Sequence, residues 1–223
     1  MVQNLSVPRL PLVFATLALA PAAVALAAPR AHIAPTHTCY VRNQTVRLKG
    51  RGFSPGGEVF FRLGKKSLSR LFAQHDGTLT GDFDAPTPHS ATSAFTVKAR
   101  DRSDPSRSTS TRIRVARTFI HLHRLARNRG YVIRAHGFTT GHGLWVHYLR
   151  RGHVVHNTLL GRLRRPCGSL SRTRRLFAFR PLRRGRYWVV FDSDRRCQVV
   201  VTRRRQTCRR DHSPNFSFSA TIR

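Results

Sequence analysis

The chain has 223 residues and carries 41 Lys or Arg against 9 Asp or Glu, a formal net charge of +32. Such a surface attracts polyanions at long range: nucleic acid, anionic wall polymers or acidic lipid headgroups. Beyond the N-terminal leader no apolar run approaches the ~20 residues of a spanning helix, so no later transmembrane helix is expected.

The leader itself divides into a short region with one basic residue, Arg9, an uncharged apolar stretch from Leu10 to about Leu26, and a small-residue end at Ala25-Leu26-Ala27. This is the pattern of a cleavable secretory signal peptide spanning residues 1–27, with Ala28-Pro29 at the new N-terminus. An uncleaved anchor is the alternative, and Pro11 and Pro21 argue against it. Cleavage leaves 196 residues, enough for one large domain or two small ones. Export places the protein in an oxidising compartment, secreted or associated with the cell wall. The four cysteines, Cys39, Cys167, Cys197 and Cys208, then suggest two disulfides, for which three connectivities exist. No pair has C-x-x-C spacing, so neither a zinc knuckle nor a thioredoxin-like site is indicated.

Residues 28–38 read as a short linker. Thr45–Leu48 then alternates, and Gly50–Gly57 forms a turn cluster. Val59, Phe61 and Leu63 alternate with polar neighbours, the period-2 signature of a half-buried strand. A turn at Gly77 and Gly81 leads to Phe83 and a break at Pro86 and Pro88. Phe95, Val97 and Ala99 alternate again, Asp101–Ser110 reads as a polar loop, and Ile113 and Val115 complete the set. Short strands at this spacing indicate a sandwich or barrel.

The second half repeats the first at an offset of 85 residues. Gly52-Phe53 falls on Gly137-Phe138, and Val59, Phe61 and Leu63 fall on Leu144, Val146 and Tyr148. After a small insertion, Phe95, Val97 and Ala99 correspond to Tyr187, Val189 and Phe191, with Asp101 matched to Asp192. A further strand is expected at Phe177 and Phe179. The joint between the copies lies near Ala116–Thr118.

The motifs GRGFSPGGEVFFRL, GTLTGDFDAP and AFTVKARD in the first copy, with RAHGFTTGHGLWVHYL, FAFRPLRRG and RYWVVFD in the second, resemble the tandem bacterial immunoglobulin-like modules of secreted and surface proteins. The second copy departs from the pattern, with Thr140 where the first has Pro55 and an added Cys167-Gly168 segment. The expected fold is all-β, with two tandem immunoglobulin-like sandwiches at 39–117 and 118–202 and a basic C-terminal tail at 203–223. The resemblance implies a non-catalytic spacer, binding surface or adhesion unit.

Chemistry-bearing groups are sparse. His121 with His123, and His153 with His156, are the metal candidates, but they fall on separate strands and loops with scarcely an acid nearby, so no metal or cofactor is expected. Asp82/Asp84 and Asp192/Asp194 suit turn capping or pairing with Arg better than two-carboxylate hydrolysis. GRGFSPGG lacks the Lys-Ser/Thr ending of a phosphate loop. Because Cys167 and Cys197 both lie in the second copy, they are expected to pair, leaving Cys39 and Cys208 to bond each other or stay free. A Cys197–Cys208 bridge across a hairpin is the main rival.

The basic clusters are Arg162, Arg164 and Arg165; Arg172, Arg174 and Arg175; Arg183, Arg184 and Arg186; and Arg203, Arg204 and Arg205. Residues 118–223 hold 24 basic and 3 acidic residues, net +21, against 16 and 6, net +10, for 28–117. Part of the arginine excess is of the kind that GC-rich coding produces. The expected function is non-catalytic contact with anionic cell-envelope polymers, or with another surface protein, mainly through the second copy. A secreted hydrolase or enzyme-accessory module is the alternative. Export disfavours nucleic acid, and the oligomeric state is open.

Overall fold

A computed structural model describes residues 30–125, 130–176, 184–203, 205–208 and 216–222. The expected signal peptide at 1–27 and the strand expected at Phe177 and Phe179 lie outside these residues, as do Arg183 and Arg204. Seventeen strands are described, and no helix among these residues is long and apolar enough to cross a membrane.

The first module contains β1 (His32–Pro35), β2 (Tyr40–Val41), β3 (Thr45–Arg51), β4 (Glu58–Leu63), β5 (Lys66–Phe72), β6 (Leu79–Asp84), β7 (Thr92–Asp101) and β8 (Ser108–Ala116). One sheet has the order β1-β3-β6 and the other β2-β8-β7-β4-β5. The second module contains β9 (Phe119–Arg124), β10 (Tyr131–His136), β11 (Gly143–Arg150), β12 (His153–Arg162), β13 (Leu170–Arg174), β14 (Gly185–Asp192), β15 (Val199–Val201), β16 (Gln206–Cys208) and β17 (Phe216–Ile222). Its sheets are β13-β10-β9 and β12-β11-β14-β17, with β15-β16 as a separate hairpin. Each module is therefore an immunoglobulin-like sandwich: a three-stranded sheet faces one whose centre pairs a middle strand with two later ones.

Alternation produces this arrangement. In β3 the buried residues are Val46, Leu48 and Gly50, and in β4 they are Val59 and Phe61. Val46 and Leu48 of the smaller sheet meet Val59, Phe61, Val97, Ile113 and Val115 of the larger one in a single core. Ile133, Leu144, Val146, Tyr148, Val189 and Phe191 form the corresponding second core. Burying a side chain of this size stabilises a fold by about 1.5–3 kcal/mol. The repeated Gly-Phe turn also has a steric cause. Gly52 and Gly137 have φ of +79° and +81°, and a Cβ on either would lie 2.7 Å from the carbonyl oxygen of Arg30 or Arg117.

Several boundaries differ from the expectation. β1 pairs with β3 from His32↔Arg51 to Pro35↔Leu48, so part of the segment read as a linker is sheet. The segment read as a tail contains β16 and β17, and β17 forms an edge of the second module by pairing with β14. The polar loop is shorter than expected, because β7 runs to Asp101 and β8 starts at Ser108. Ser108–Thr111 belongs to a ladder strand without alternating apolar residues, so it gave no strand signal.

The repeat register also needs correcting. Phe60 pairs with Arg100, and its counterpart Trp145 pairs with Asp192. Asp192 therefore occupies the place of Arg100, and Ser193 that of Asp101. Asp101 is a buried turn acceptor, taking N–H bonds from Ser54 at 2.7 Å, Ser103 at 2.9 Å and Asp104 at 3.2 Å. Burial pushes its carboxyl pKa upward, but these bonds outweigh that effect and hold it below the ordinary value.

The disulfides are Cys39–Cys167 and Cys197–Cys208, not Cys167–Cys197 and Cys39–Cys208. The turn carrying Cys167 reaches across to the first module, where Cys39, Ala116 and Cys167 form a small buried cluster. Gly168, with φ +62°, lets this turn lie directly against the Phe138 backbone. Cys197 and Cys208 instead close the β15–β16 hairpin.

The two bridges span 128 and 11 positions, which corresponds to about 5 and about 3 kcal/mol of loop-closure stabilisation. Replacing Cys39 and Cys167 together by Ala should therefore lower the urea midpoint more than replacing Cys197 and Cys208. A larger loss from the second pair would contradict this ranking, and non-reducing peptide mapping checks the connectivity itself.

Candidate functional site

The seam between the modules is formed by short polar and apolar contacts around Cys39–Cys167. Thr92 Oγ1 and His136 Nε2 lie 2.8 Å apart across it. Gln44 Oε1 accepts from the Val41 N–H at 2.9 Å and from Thr139 Oγ1 at 3.5 Å. Beside these contacts opens a cleft of about 420 Å³. Thr36, His37 and Thr38 of the first module line one side, and Thr140 and His142 of the second line another, while Arg164 and Arg165 come from the turn between β12 and β13. Cys39 and Phe138 also contribute to its wall, and no carboxylate lines it. Guanidinium and hydroxyl groups that converge without a carboxylate can donate hydrogen bonds to an oxygen and attract its negative charge.

The other arginines singled out from the sequence are spread over several faces. Arg162 ends β12, exposed, and Arg172 and Arg174 lie in β13. Arg172 Nη1 is 3.5 Å from the Leu160 carbonyl oxygen, and Arg175 is exposed just beyond β13. Arg150 donates to the carbonyl oxygen of Arg184 at 3.0 Å. Arg186 lies over the Trp188 ring at 5.4 Å. Arg203 is exposed, and Arg205 Nε donates to Ser217 Oγ at 2.6 Å. Of the described members of the set, Arg164 and Arg165 share the cleft.

A second shallow groove, also of about 420 Å³, lies on the first module between Arg62, Lys98 and Arg100, with Phe60 beneath. A search for basic runs passes over these cations because they are single residues alternating along β4 and β7. Their period-2 placement on one outward face was the available signal.

The acids are committed elsewhere. Three ion pairs occur among the described residues, all in the first module: Arg47–Asp82 at 3.0 Å, Arg102–Glu58 at 2.9 Å and Arg107–Asp104 at 3.0 Å. Asp82 is thus held by Arg47, and Asp192 and Asp194 serve a turn, where Asp194 N–H donates to Asp192 Oδ1 at 3.0 Å. Of the histidine pairs, His121 and His123 are exposed on β9, while His153 and His156 lie on β12. Among the described residues the one cluster with metal-ligand spacing is a different one, His147 with Asp192 and Cys208. Cys208 is engaged in a disulfide there.

No protein-family profile matches the chain, and no curated protein matches it. Among solved structures it is similar to the fibronectin(III)-like modules of Clostridium thermocellum CbhA, at 11% identity with TM-score 0.27, covering 86% of this chain and 94% of that one. It is also similar to the human OSCAR ligand-binding domain, at 11% identity and TM-score 0.35, covering 87% and 98%. Likenesses this distant carry no argument, and the fold assignment rests on the strand order of the chain itself.

Two histidines give the fold a pH dependence. Burial pushes His136 below its ordinary pKa of 6.5, against a hydrogen bond from the imidazole to the Ala91 backbone that acts upward. Burial likewise lowers His147, against the opposing effects of its hydrogen bond and charge interaction with Asp194. The folded chain then binds fewer protons than the unfolded one, so stability present above pH 6.5 is lost as pH falls through the depressed folded values. The urea midpoint should be lower at pH 5 than at pH 7.5, and replacing His136 and His147 by Gln should reduce that difference. An equal difference in the double variant would contradict the assignment.

Proposed function

We propose that the protein is a secreted or cell-envelope-associated, non-catalytic binding protein that holds anionic envelope polymers through its arginine-rich surface. The observation that carries this reading is the acid-free cleft at the module seam, where Arg164, Arg165, His37 and His142 converge. Two further features support it. The second half has 24 basic residues for 3 acids, and the ion pairs among the described residues all lie in the first module. The two disulfides suit an oxidising, extracellular setting. Immunoglobulin-like sandwiches commonly act as binding or spacer modules, and a rigid seam between two of them presents a fixed surface to a chain-like ligand.

Guanidinium groups suit this role because their planar fork donates two parallel hydrogen bonds to a phosphate or carboxylate. In the cleft, hydroxyls from both modules stand beside the arginines, so an anionic group would be held by charge and by neutral donors together. The polymer's remaining charges would run along the exposed cations outside.

Binding of the full chain to long-chain inorganic polyphosphate tests the reading. The Arg164→Gln/Arg165→Gln variant should bind roughly three- to tenfold more weakly at low salt. Arg203→Gln, outside the cleft, should change the affinity much less. Equal effects from the two variants would remove the special role of the cleft, and undetectable binding by the unmodified chain would overturn the proposal.

A further inference from the structure

The outward row of the second module's larger sheet departs from its counterpart in the first. His147 stands at the repeat position of Arg62, and Asp192 at that of Arg100, both exposed cations in the first copy. In the second copy the β15–β16 hairpin packs over this face. Leu149, Val190 and Cys208 form a small core there, with Trp188, Cys197 and Val199 against it. His147 is fully buried, and Asp192 is 3% exposed. One potential ligand atom from each of His147, Asp192 and Cys208 lies within 4.8 Å of the others.

The histidine is set as a ligand would be. His147 Nε2 is 3.0 Å from the Asp194 carbonyl oxygen, and a carbonyl only accepts, so Nε2 carries the proton. Nδ1 is therefore a bare lone pair, and it is buried without a hydrogen-bond partner. Leaving such a group unsatisfied is costly, so its burial calls for a cause. Metal-bound histidines typically donate their second N–H to a carbonyl in this way, which fixes the ring and its tautomer. Asp192 accepts the Asp194 N–H at its Oδ1, and the sulfur of Cys208 is held by Cys197.

We propose that opening of the Cys197–Cys208 disulfide converts this cluster into a Zn²⁺ site, ligated by Cys208, His147 and Asp192, with Cys197 as the fourth ligand. Thiolate, imidazole and carboxylate in a four-ligand set are the donors Zn²⁺ takes. The bridge opens by accepting two electrons and two protons from a dithiol, which is itself oxidised to a disulfide. The two cysteine thiols then lose their protons to solvent as the metal binds. The hairpin is thereby fastened by a disulfide in the oxidised chain and by the metal in the reduced one. This inference stands apart from the anionic-polymer reading and does not depend on it.

The test uses the full chain with Co²⁺ as a spectroscopic stand-in for Zn²⁺, before and after reduction by a phosphine, which becomes its oxide with oxygen from water. The reduced chain should bind one Co²⁺ with a thiolate-to-metal charge-transfer band, and the oxidised chain should show none. His147→Ala should weaken this binding by about 100-fold or more, and Asp192→Asn by about tenfold or more. Cys39→Ala/Cys167→Ala should retain the band. A band that survives His147→Ala, or that disappears with Cys39 and Cys167, would overturn the proposal by placing the metal elsewhere. Should reduction abolish the strand signature in circular dichroism, added Zn²⁺ must restore it in the unmodified chain and not in His147→Ala; failure of either condition overturns the proposal equally.

Discussion

The constraint on which the rest depends is that 9 carboxylates cannot neutralise 41 cations. Like-charge repulsion works against compaction wherever the excess is not screened. Ion pairing cannot be the main source of stability, since exposed pairs such as Arg47–Asp82 are screened by solvent and contribute little. Cohesion falls instead to two apolar cores and two covalent links. Asp101 shows where a single acid has a large effect: it takes the Ser103 and Asp104 N–H groups in the β7–β8 turn and the Ser54 N–H in the turn between β3 and β4.

The Cys39–Cys167 bridge acquires its importance from the same imbalance. It sits where the two positively charged modules meet, next to the short Thr92–His136 contact. A seam held covalently can leave its flanking cations unpaired, because opposite charge is not needed to hold the modules together. The cleft with Arg164 and Arg165 is then a feature the fold tolerates rather than one that stabilises it. Under the proposed function, this is the relation expected between a binding surface and the scaffold that positions it.

The cores were legible in the sequence because period-2 alternation is a local signal. Val59, Phe61 and Leu63, with their counterparts at 144, 146 and 148, showed both the strands and the duplication. What alternation could not show was pairing between distant segments. β1 is only four residues long, and β17, whose Phe216, Phe218 and Ala220 do alternate, follows a basic run that reads as a tail; their places are set by pairing with β3 and β14. The disulfides were misassigned for a related reason: spacing placed Cys167 in the second module, but nothing local indicated that its turn faces the first. Asp192 was matched to Asp101 by residue type, whereas the ladder register sets it opposite Trp145 and turns it toward His147. The arginines of the cleft stood out as a run, but their company of His37, His142 and threonines comes from both modules and exists only after folding.

A protein whose cations are left uncompensated by its own acids should take up an anionic chain by displacing that chain's counterions. The most direct measurement is the affinity of the full chain for long-chain polyphosphate across a series of salt concentrations from about 50 to 500 mM, a range over which screening between exposed charges tightens severalfold. The logarithm of the binding constant should fall linearly with the logarithm of salt, with a slope of about −0.7 for each charge contacted and several contacts in total. An affinity that stayed flat across that range would contradict a central role for uncompensated arginine.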